Sequence, residues 1–411
     1  MHTTKRSPHR PRLLFLCQNA PWPPHGGQQL RSYNTLRLLA REFEIYGLYF
    51  YRARHLGSDT ELSSAHEALS AFGQARLFKI PQEHSKLRLV WDHIRSVGSA
   101  TPYTDWTYSS DEFQSALLEC FRTWGPNVVH LDSLDLGGWL PHLSKYPVVV
   151  SHHNVESSLL NRRGSEMKGL RGAYIRYQAR NVRAAERVRC RTAAVNLAVS
   201  SLDVEQLKQI SPRARVTLFP NGVDTEIFTR PTLPKSYDIV FVGGQTWYPN
   251  LDGMRFFARE ILPLIRRMRG DVSVKWVGRS DPKTAEEFKQ MGIEVTGYVE
   301  DIRPVVAEAK CYIAPLRIGG GTRLKILDAW SLESAIVATS IACEGLEGED
   351  KVHLLIRDTP TDFARAVGMI LDDHALRERL GTNARHLVET TYDWEVLADD
   401  LLKQVKAAAE S

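Results

Sequence analysis

Cysteine is scarce in this chain, and no cysteine stands at the spacing of a metal or redox motif. The cysteines are odd in number and widely scattered, without a Cys-x-x-Cys pair: Cys17, Cys120, Cys190, Cys311 and Cys343. This pattern argues against a disulfide framework and against a zinc site, and it favours reduced thiols in a cytoplasm.

Long apolar runs and an excess of one charge are also missing. No apolar run approaches the roughly 20 residues that cross a bilayer, and the run LLFLC near the start is too short for a signal-peptide core. The net charge of +5, from 53 Lys and Arg against 48 Asp and Glu, is too small to indicate nucleic-acid binding. We therefore expect a cytoplasmic protein, soluble or peripheral at the inner face of the cell membrane, with no nucleic-acid partner.

The chain has the length and the alternating pattern of a two-domain α/β protein. Its 411 residues exceed a typical domain more than twofold. In the second half, runs rich in Val and Ile predict buried strands at 238–243, 272–278, 293–299, 311–315 and 335–340, with helices at 253–268 and 322–332. In the first half, strands are predicted at 12–17, 43–50, 128–131, 148–151 and 194–199, with a helix at 28–41. Residues 53–107 show no clear period, and Pro220 and Gly222 mark 215–228 as a linker.

This alternation predicts two Rossmann-like, doubly wound domains that face a central cleft. The predicted boundaries are 1–215 for the first domain and 216–392 for the second. Residues 393–411 are predicted to form a C-terminal helix that packs back on the first domain.

The segment 314–330, APLRIGGGTRLKILDAW, is the most informative one. Gly319, Gly320 and Gly321 form a loop between a strand and a helix that Thr322 can cap. Successive glycines let the backbone approach a ligand closely, and a helix start offers unpaired N–H groups with about half a positive charge. The segment therefore predicts a phosphate site.

Two cations in the first turn of this helix support the prediction. Arg323 and Lys325 lie at the positive end of the helix dipole, which is unfavourable by a few tenths of a kcal/mol each unless an anion offsets it. Asp328 lies on the face of Lys325, where it could accept hydrogen bonds from ribose. The alternative is that Lys325 simply pairs with Asp328 at i,i+3.

The chain contains neither of the two common nucleotide fingerprints. No G-x-x-x-x-G-K-[ST] is present, and the first strands run into FLCQNAPW and FVGGQTW rather than G-x-G-x-x-G. These absences count against a P-loop NTPase and against a nicotinamide enzyme.

A basic segment, Arg162–Arg191, stands apart in charge, with two acidic residues, Glu166 and Glu186. Its ten basic residues are Arg162, Arg163, Lys168, Arg171, Arg176, Arg180, Arg183, Arg187, Arg189 and Arg191. A solvated helix face and attraction to an anionic membrane surface both fit the pattern. Nucleic acid is a weaker alternative, because no aromatic stacking platform accompanies the charges.

Six segments in order resemble the retaining nucleotide-sugar glycosyltransferases of family 4, which have the GT-B fold. The segments are PPHGGQQLRSYNTLRLL, SHHNVESSLLNRR, NLAVSSLDVEQL, FPNGVDTEIF, FVGGQTWYPNLDGMRFF and GGGTRLKILDAWSL. The resemblance covers almost the full length, and the branch that makes bacterial surface or exported polysaccharides is the most similar.

The resemblance implies a role for each matching residue. His153, Arg323 and Lys325 take the catalytic positions, with strand-end packing as the alternative for His153. The Gly297-Tyr298-Val299 loop corresponds to the one that contacts the base. Donor-binding positions fall on Gly26, Gly27, Gly243, Arg279, Tyr298, Val299, Gly319, Gly320, Gly321, Thr322 and Asp328. Without the family, Gly26 and Gly27 would be interpreted as a turn.

Two departures from the family pattern affect the donor site. Gly320 stands eight residues before Asp328, where family members often carry a first glutamate that contacts the donor sugar. Gln245, Thr246 and Trp247 stand where an Arg and a Lys often follow the first strand of the second domain. The phosphate contacts therefore fall mainly on Arg323 and Lys325.

The implied reaction moves a hexose from a UDP- or GDP-sugar to a hydroxyl of a saccharide or lipid-linked acceptor, with retained configuration. Residues 1–215 would serve the acceptor and 216–392 the nucleotide sugar. The resemblance implies no metal or other cofactor, and the chain has no D-x-D motif. Two alternatives stay open, a GT-B nucleotide-sugar epimerase and a non-catalytic nucleotide-sugar-binding relative.

Overall fold

A computed structural model describes residues 10–245, 247–318 and 323–410 of the chain. The chain divides into two units, one of Met1–Phe219 with Ala398–Ser411 and the other of Pro220–Leu397. The chain passes from the first unit to the second after Phe219, a few residues beyond the boundary predicted at 215/216. It returns to the first unit at Ala398, inside the C-terminal helix.

The first unit is built on a seven-stranded sheet with the order β3-β2-β1-β4-β5-β6-β7, in which every pairing is parallel. Its strands are β1 (Arg12–Cys17), β2 (Glu44–Tyr51), β3 (Gly73–Lys79), β4 (Val128–Leu131), β5 (Val148–Ser151), β6 (Val195–Ala198) and β7 (Val216–Leu218). Central strands such as β4 and β5 are buried at every residue. Continuous apolar runs are expected of strands covered on both faces.

Helices cover both faces of this sheet. They are α1 (Gly27–Leu39), α2 (Asp59–Ser70), α3 (Lys86–Ser99), α4 (Tyr103–Thr107), α5 (Asp111–Thr123), α6 (Glu156–Glu166), α7 (Gly169–Thr192) and α8 (Ser201–Ile210), with 3₁₀ turns at Pro81–Glu83 and Leu134–Leu143. The stretch 53–107, in which no clear period was found, therefore contains α2, β3, α3 and α4.

The predicted linker at 215–228 needs a correction. Val216–Leu218 forms the edge strand β7, which pairs with β6 so that Leu218 lies opposite Ala198. The prediction was wrong for these three residues, because the short Val-Thr-Leu run was outweighed by Pro220 and Gly222. An edge strand needs one partner only and can be this short.

The second unit has a six-stranded parallel sheet with the order β10-β9-β8-β11-β12-β13. Its strands are β8 (Tyr237–Val242), β9 (Val274–Val277), β10 (Glu294–Gly297), β11 (Ala309–Ala314), β12 (Ile336–Ala338) and β13 (Leu355–Ile356). The first five lie at the predicted places and differ only at their ends.

The helices of the second unit follow the strands in alternation. They are α9 (Tyr248–Phe256), α10 (Leu262–Arg269), α11 (Pro282–Gln290), α12 (Arg303–Ala307), α13 (Leu324–Ser331), α14 (Ser340–Cys343), α15 (Pro360–Asp372) and α16 (His374–Leu387). The helix predicted at 253–268 is interrupted by a π-helical segment, Phe257–Ile261. Pro263 explains the interruption, because proline has no N–H to donate to the preceding turn.

The last helix, α17 (Trp394–Ala409), belongs to both units, and its part from Ala398 onward lies in the first. There Lys406 Nζ lies 3.2 Å from Glu42 Oε2, and Arg215 Nη2 donates to Gln404 Oε1 at 3.1 Å. Among the described helices, none combines the length and apolarity that a membrane span requires.

Candidate functional site

The order of the strands locates a ligand crevice in the second unit. Strand β8 has β9 on one side and β11 on the other, and the chain leaves β8 and β11 in opposite directions. Ligands of open parallel sheets bind at the carboxyl ends of strands at such a switch point. Gly243 follows β8 directly, and α13 is the first helix after β11.

Lys325 lies in this crevice, on the first turn of α13. Its Nζ donates to Asn250 Oδ1 at 2.5 Å and lies 4.4 Å from the centre of the Phe241 ring. Burial, reinforced by the nearby charge of Arg323, lowers the pKa of Lys325 to about 7. A cation so disfavoured in the free protein gains its charge fully only when an anion joins it.

The strand end beside Lys325 is shaped by the absence of a side chain at Gly243. A Cβ there would lie 2.7 Å from Lys325 Nζ and 2.6 Å from Asn250 Nδ2, and φ is +156°. The Trp276 indole N–H donates to the Gly243 carbonyl at 2.6 Å, and Asn250 Nδ2 donates to the Gly244 carbonyl at 2.8 Å. Two buried side chains thus fix the backbone around the ammonium.

Helix α13 begins at Leu324 with Arg323 at the N-cap position, so Lys325 is the second helical residue. Arg323 is buried, with 7% of its surface exposed, and no acidic residue occupies the first turn. Two cations therefore lie where the helix dipole is already positive. The predicted cap Thr322 and the glycines Gly319, Gly320 and Gly321 lie outside the described residues, as does Thr246.

Asp328 lies one turn after Lys325. Its burial raises the pKa of the carboxyl to about 7, against the opposing charge of Lys325. The hydrogen bond of Lys325 goes to Asn250 and not to Asp328, so the alternative of a simple i,i+3 pair does not describe the site. A carboxyl that carries a proton near neutral pH can both donate to and accept from hydroxyl groups.

A platform made by Arg279 and Tyr298 lies after β9 and β10. The Arg279 guanidinium carbon is 4.7 Å from the centre of the Tyr298 ring, and 55% of Tyr298 is exposed. Gly278 N–H donates to the Gly297 carbonyl at 2.9 Å, which ties the two strand ends together. The partly buried Val299 side chain packs against the core.

The polar cluster of the first unit is centred on Asp132, directly after β4. Its Oδ2 accepts from Ser32 Oγ at 2.6 Å and from Cys17 Sγ at 3.3 Å, and lies 3.5 Å from His153 Nε2. Burial raises the pKa of Asp132, but His153, His130 and Ser32 outweigh burial and lower it overall. The buried carboxylate therefore keeps its charge, and it lies next to the His153 ring.

The adjacent histidines His152 and His153 differ in environment. His152 is buried, its Nε2 is 3.0 Å from Asn196 Oδ1, and burial lowers its pKa to about 4. His152 is thus packed at the strand end. His153 lies beside Asp132, with part of its side chain exposed.

Carboxyl groups with raised pKa values lie close to the same strand ends. Burial raises the pKa of Asp135 to about 6 and that of Glu156 to about 8. Glu186, buried beneath the start of α6, accepts from the Ser157 N–H at 3.1 Å and from the Ser157 hydroxyl. No local sequence pattern predicts these groups, because their pKa values depend on burial and on residues that are distant in the chain.

Gly26 and Gly27 begin α1, with Gly26 at the N-cap position. No acidic residue occupies the first turn of this helix. A Cβ on Gly26 would meet only the end of the flexible Gln29 side chain, at 2.8 Å. The two glycines therefore form the start of α1. The turn that these residues alone predict lies at this helix start.

Asn250, Phe241 and Trp276 also escaped the sequence analysis. Asn250 is the informative one, since an amide buried on the first turn of α9 signals a specific hydrogen bond. Among the residues that the structure describes, no group of three or more His, Cys, Asp or Glu side chains could hold a metal ion.

Solved structures of glycosyltransferases share this architecture. HepE of Anabaena, solved in complex with UDP, has a TM-score of 0.66 at 12% identity over 96% of this chain and 100% of that chain. Sucrose-phosphate synthase from Thermosynechococcus elongatus gives 0.67 at 16% identity over 97% and 100%. The lipopolysaccharide outer core galactosyltransferase WaaB gives 0.59 at 11% identity over 96% and 99%. The two parallel-sheet units therefore define a GT-B protein.

Family models match both units. Residues 236–373 match the model described as glycosyl transferases group 1, and residues 72–227 match the model of glycosyltransferase family 4. The chain therefore carries a glycosyltransferase family 4 domain and a glycosyl transferases group 1 domain, which confirms the resemblance to glycosyltransferases that the sequence motifs predicted. An uncharacterized 44.6 kDa protein in the cps region of Klebsiella pneumoniae is 21% identical over 41% of this chain, and the match spans 45% of that protein.

Proposed function

We propose that the protein transfers a hexosyl group from a nucleoside diphosphate sugar to a hydroxyl of a saccharide or lipid-linked acceptor, with retained configuration. The observation that carries this proposal is the pair of cations at the start of α13. Arg323 is buried and Lys325 has a pKa of about 7 in the free protein. Such a pair gains most from a ligand with two or more negative charges.

In this proposal Arg323 and Lys325 bind the diphosphate and stabilise the charge that develops on it as the sugar leaves. Such preorganised electrostatics are worth about 10²–10³ in rate for a single donor group. The glycines 319–321 and Thr322 would add backbone N–H groups. We assign no metal or other cofactor to the step, because these cations perform the task that a metal would.

The remaining donor contacts follow from the crevice. Asp328 is assigned to the ribose hydroxyls, which its protonatable carboxyl can both donate to and accept from. The Arg279–Tyr298 platform and the backbone of Val299 are assigned to the base of the donor, which is the uracil of UDP or the guanine of GDP. HepE, a structural neighbour, was solved with UDP, which supports a uridine nucleotide.

In the first unit, His153 is assigned to a hydroxyl of the transferred sugar, with Asp132 as its positioning residue. Gly26 and Gly27 are assigned to the donor through the start of α1. The protonatable carboxyls of Asp135 and Glu156 are suited to hydroxyl groups of an acceptor saccharide.

We also propose a setting for the reaction. The cps-region relative supports a role in the synthesis of bacterial surface or exported polysaccharide. The basic segment Arg162–Arg191 comprises the end of α6 and nearly all of α7. It would be attracted to anionic lipids at the cytoplasmic face of the membrane.

The test is incubation of the full chain with UDP- and GDP-sugars, with and without oligosaccharide or lipid-linked acceptors. Release of nucleoside diphosphate with a glycosidic product whose anomeric configuration equals the donor's supports the proposal. An isomerised nucleotide sugar formed from donor alone would instead identify an epimerase. Thermal stabilisation by UDP or GDP without turnover of any donor would identify a binding relative; a ligand at 100 times its Kd stabilises by about 2.7 kcal/mol.

A further inference from the structure

Helix α3 exposes its apolar side to solvent. Its large apolar residues recur at helical spacing, and the following side chains are between 51% and 75% exposed: Leu87, Val90, Trp91, Ile94 and Val97. This spacing places the five on one face. We call this set of five residues the α3 apolar face.

The opposite side of α3 is polar and is held firmly against the protein. The buried residues of the helix are Asp92 and Ser96. Asp92 accepts from Arg88 Nε at 2.8 Å and from Gln82 Nε2 at 3.2 Å, and Ser96 Oγ donates to the Thr101 carbonyl at 2.7 Å. A surface helix of a globular protein normally buries its apolar stripe and exposes its polar one. In α3 the order is reversed, and the hydrogen bonds of Asp92 and Ser96 stabilise this orientation.

Helix α7 contacts α3 through two tyrosine side chains. Tyr174 Oη is 2.6 Å from His93 Nδ1, and Tyr177 Oη donates to the Val97 carbonyl at 3.0 Å. Leu170, one turn before Tyr174 on the same face, is 91% exposed. The apolar surface of α3 thus has a further large apolar side chain on the neighbouring helix.

The charges exposed on these two helices have one sign. Helix α3 exposes Lys86 and Arg95, and its one acidic residue, Asp92, is buried. Helix α7 exposes several arginines, and its one acidic residue, Glu186, is buried. Both helices lie wholly within the described residues. An apolar face that is flanked by cations and free of exposed carboxylates is complementary to an anionic lipid surface.

We propose that the α3 apolar face inserts into the boundary between headgroups and acyl chains of an anionic bilayer, with Trp91 at headgroup level. Amphipathic helices bind in this way with their apolar side about 5–10 Å below the headgroups. The proposal goes beyond the charge attraction suggested for Arg162–Arg191, since it assigns an insertion surface outside that segment, and it does not depend on transferase activity. A protein partner is less well matched, because the face offers no hydrogen-bonding side chain other than the Trp91 indole.

The test is flotation of the full chain with vesicles of phosphatidylcholine alone or mixed with phosphatidylglycerol. The variant Leu87→Ser/Ile94→Ser removes two members of the face. The matched control, Leu118→Ser/Met369→Ser, removes two side chains that are equally apolar and about half exposed on α5 and α15. Unchanged thermal unfolding of both variants shows that they fold.

We expect the wild type and the control to bind the phosphatidylglycerol vesicles. The α3 variant should bind at least about tenfold more weakly, because each buried large apolar side chain changes a partition constant by about an order of magnitude. Trp91 should also be quenched by brominated lipid, seen as the difference between the wild type and Trp91→Phe. Three results would overturn the proposal. They are equal binding of the α3 variant and the control, absence of binding to both kinds of vesicle, and self-association in solution that only the α3 variant loses. If the α3 variant and the control bind equally, and Arg180→Gln/Arg187→Gln abolishes vesicle binding, the basic segment is the membrane contact.

Discussion

The two units place opposite chemistry at the same position of similar sheets. Both sheets are parallel, and in each the polar residues lie at the carboxyl ends of the central strands. In the second unit the two cations Arg323 and Lys325 lie beside a single carboxyl, Asp328. In the first unit the residues are mainly carboxyls such as Asp132, Asp135 and Glu156. Sheet topology therefore determines where a site forms, and the loop residues determine which ligand charge it accepts.

The physical effect that separates the two sites is burial, which acts on bases and acids in opposite directions. Burial lowers the pKa of Lys325 to about 7 and raises that of Glu156 to about 8. In each case the neutral form is favoured in the free protein. A phosphate ligand recharges the first site, while uncharged sugar hydroxyls suit the second.

The largest expected effect comes from removal of the cation. Lys325→Met keeps the length of the side chain and should reduce turnover by about 10²–10³-fold, because charge on the leaving diphosphate loses its partner. The same change should raise the unfolding temperature by a few degrees, since about 1 kcal/mol shifts the midpoint of a domain of this size by about 2–4 °C. The measurements are steady-state kinetics and calorimetry.

The matched control for this change is Lys289→Met, an exposed lysine on α11 of the same unit. It should alter neither turnover nor unfolding temperature by a measurable amount. Unchanged turnover of Lys325→Met would remove Lys325 from the mechanism.

The next effect tests the space that Gly243 leaves for the ammonium. Gly243→Ala would place a Cβ 2.7 Å from Lys325 Nζ, on a backbone with φ of +156°. We expect a loss of about 1–3 kcal/mol of stability from the strained conformation, together with weaker donor binding as Lys325 is displaced. Calorimetric titration with UDP measures the second effect. Gly98→Ala, where a Cβ meets nothing within 4 Å, is the control.

A smaller effect is expected in the first unit. Asp132→Asn keeps the shape beside Ser32 and removes the charge that lies 3.5 Å from His153. If Asp132 positions His153, turnover should fall by up to about a hundredfold, because a misplacement of about 1 Å can cost that much, while the Kd for UDP stays constant. Asp111→Asn, at an exposed position of α5, serves as the control. A change in UDP affinity without a change in turnover would contradict this assignment.

Most of the sheet framework could be predicted from sequence, because strands buried on both faces have continuous apolar runs. Strands β1, β4 and β5 match their predicted ranges, and β8, β9 and β11 lie within a few residues of theirs. For the stretch 53–107 no elements were predicted, because its helical periodicity was not recognised. In α3 the apolar spacing at 87, 90, 91, 94 and 97 indicates a helix, and a periodicity count over that window would have found it.

The site was predictable only where its residues are contiguous in sequence. Arg323, Lys325 and Asp328 lie on one helix turn or two, so a dipole argument reaches them. Asn250 approaches Lys325 from a helix 75 residues earlier, and no local pattern joins the two. The same holds for Asp132 and Ser32, which are 100 residues apart in the chain.

The smallest effect compares the pH dependence of the two units. Glu156 has a pKa raised above its ordinary value of 4.5 to about 8, so the folded state binds more protons than the unfolded state between these values, and its stability falls as pH rises through this window. Glu156→Gln should therefore leave the unfolding temperature unchanged at pH 4.5 and raise it by a few degrees at pH 8.5. Lys325→Met should behave oppositely, because the pKa of Lys325 is lowered from 10.5 to about 7. The stabilisation that the Lys325→Met change provides is therefore complete below pH 7. It fades toward pH 10.5, where the lysine of the unfolded wild type also loses its charge. Thermal unfolding of both variants from pH 4.5 to 10 checks the signs, and parallel pH profiles would show that burial does not govern both sites.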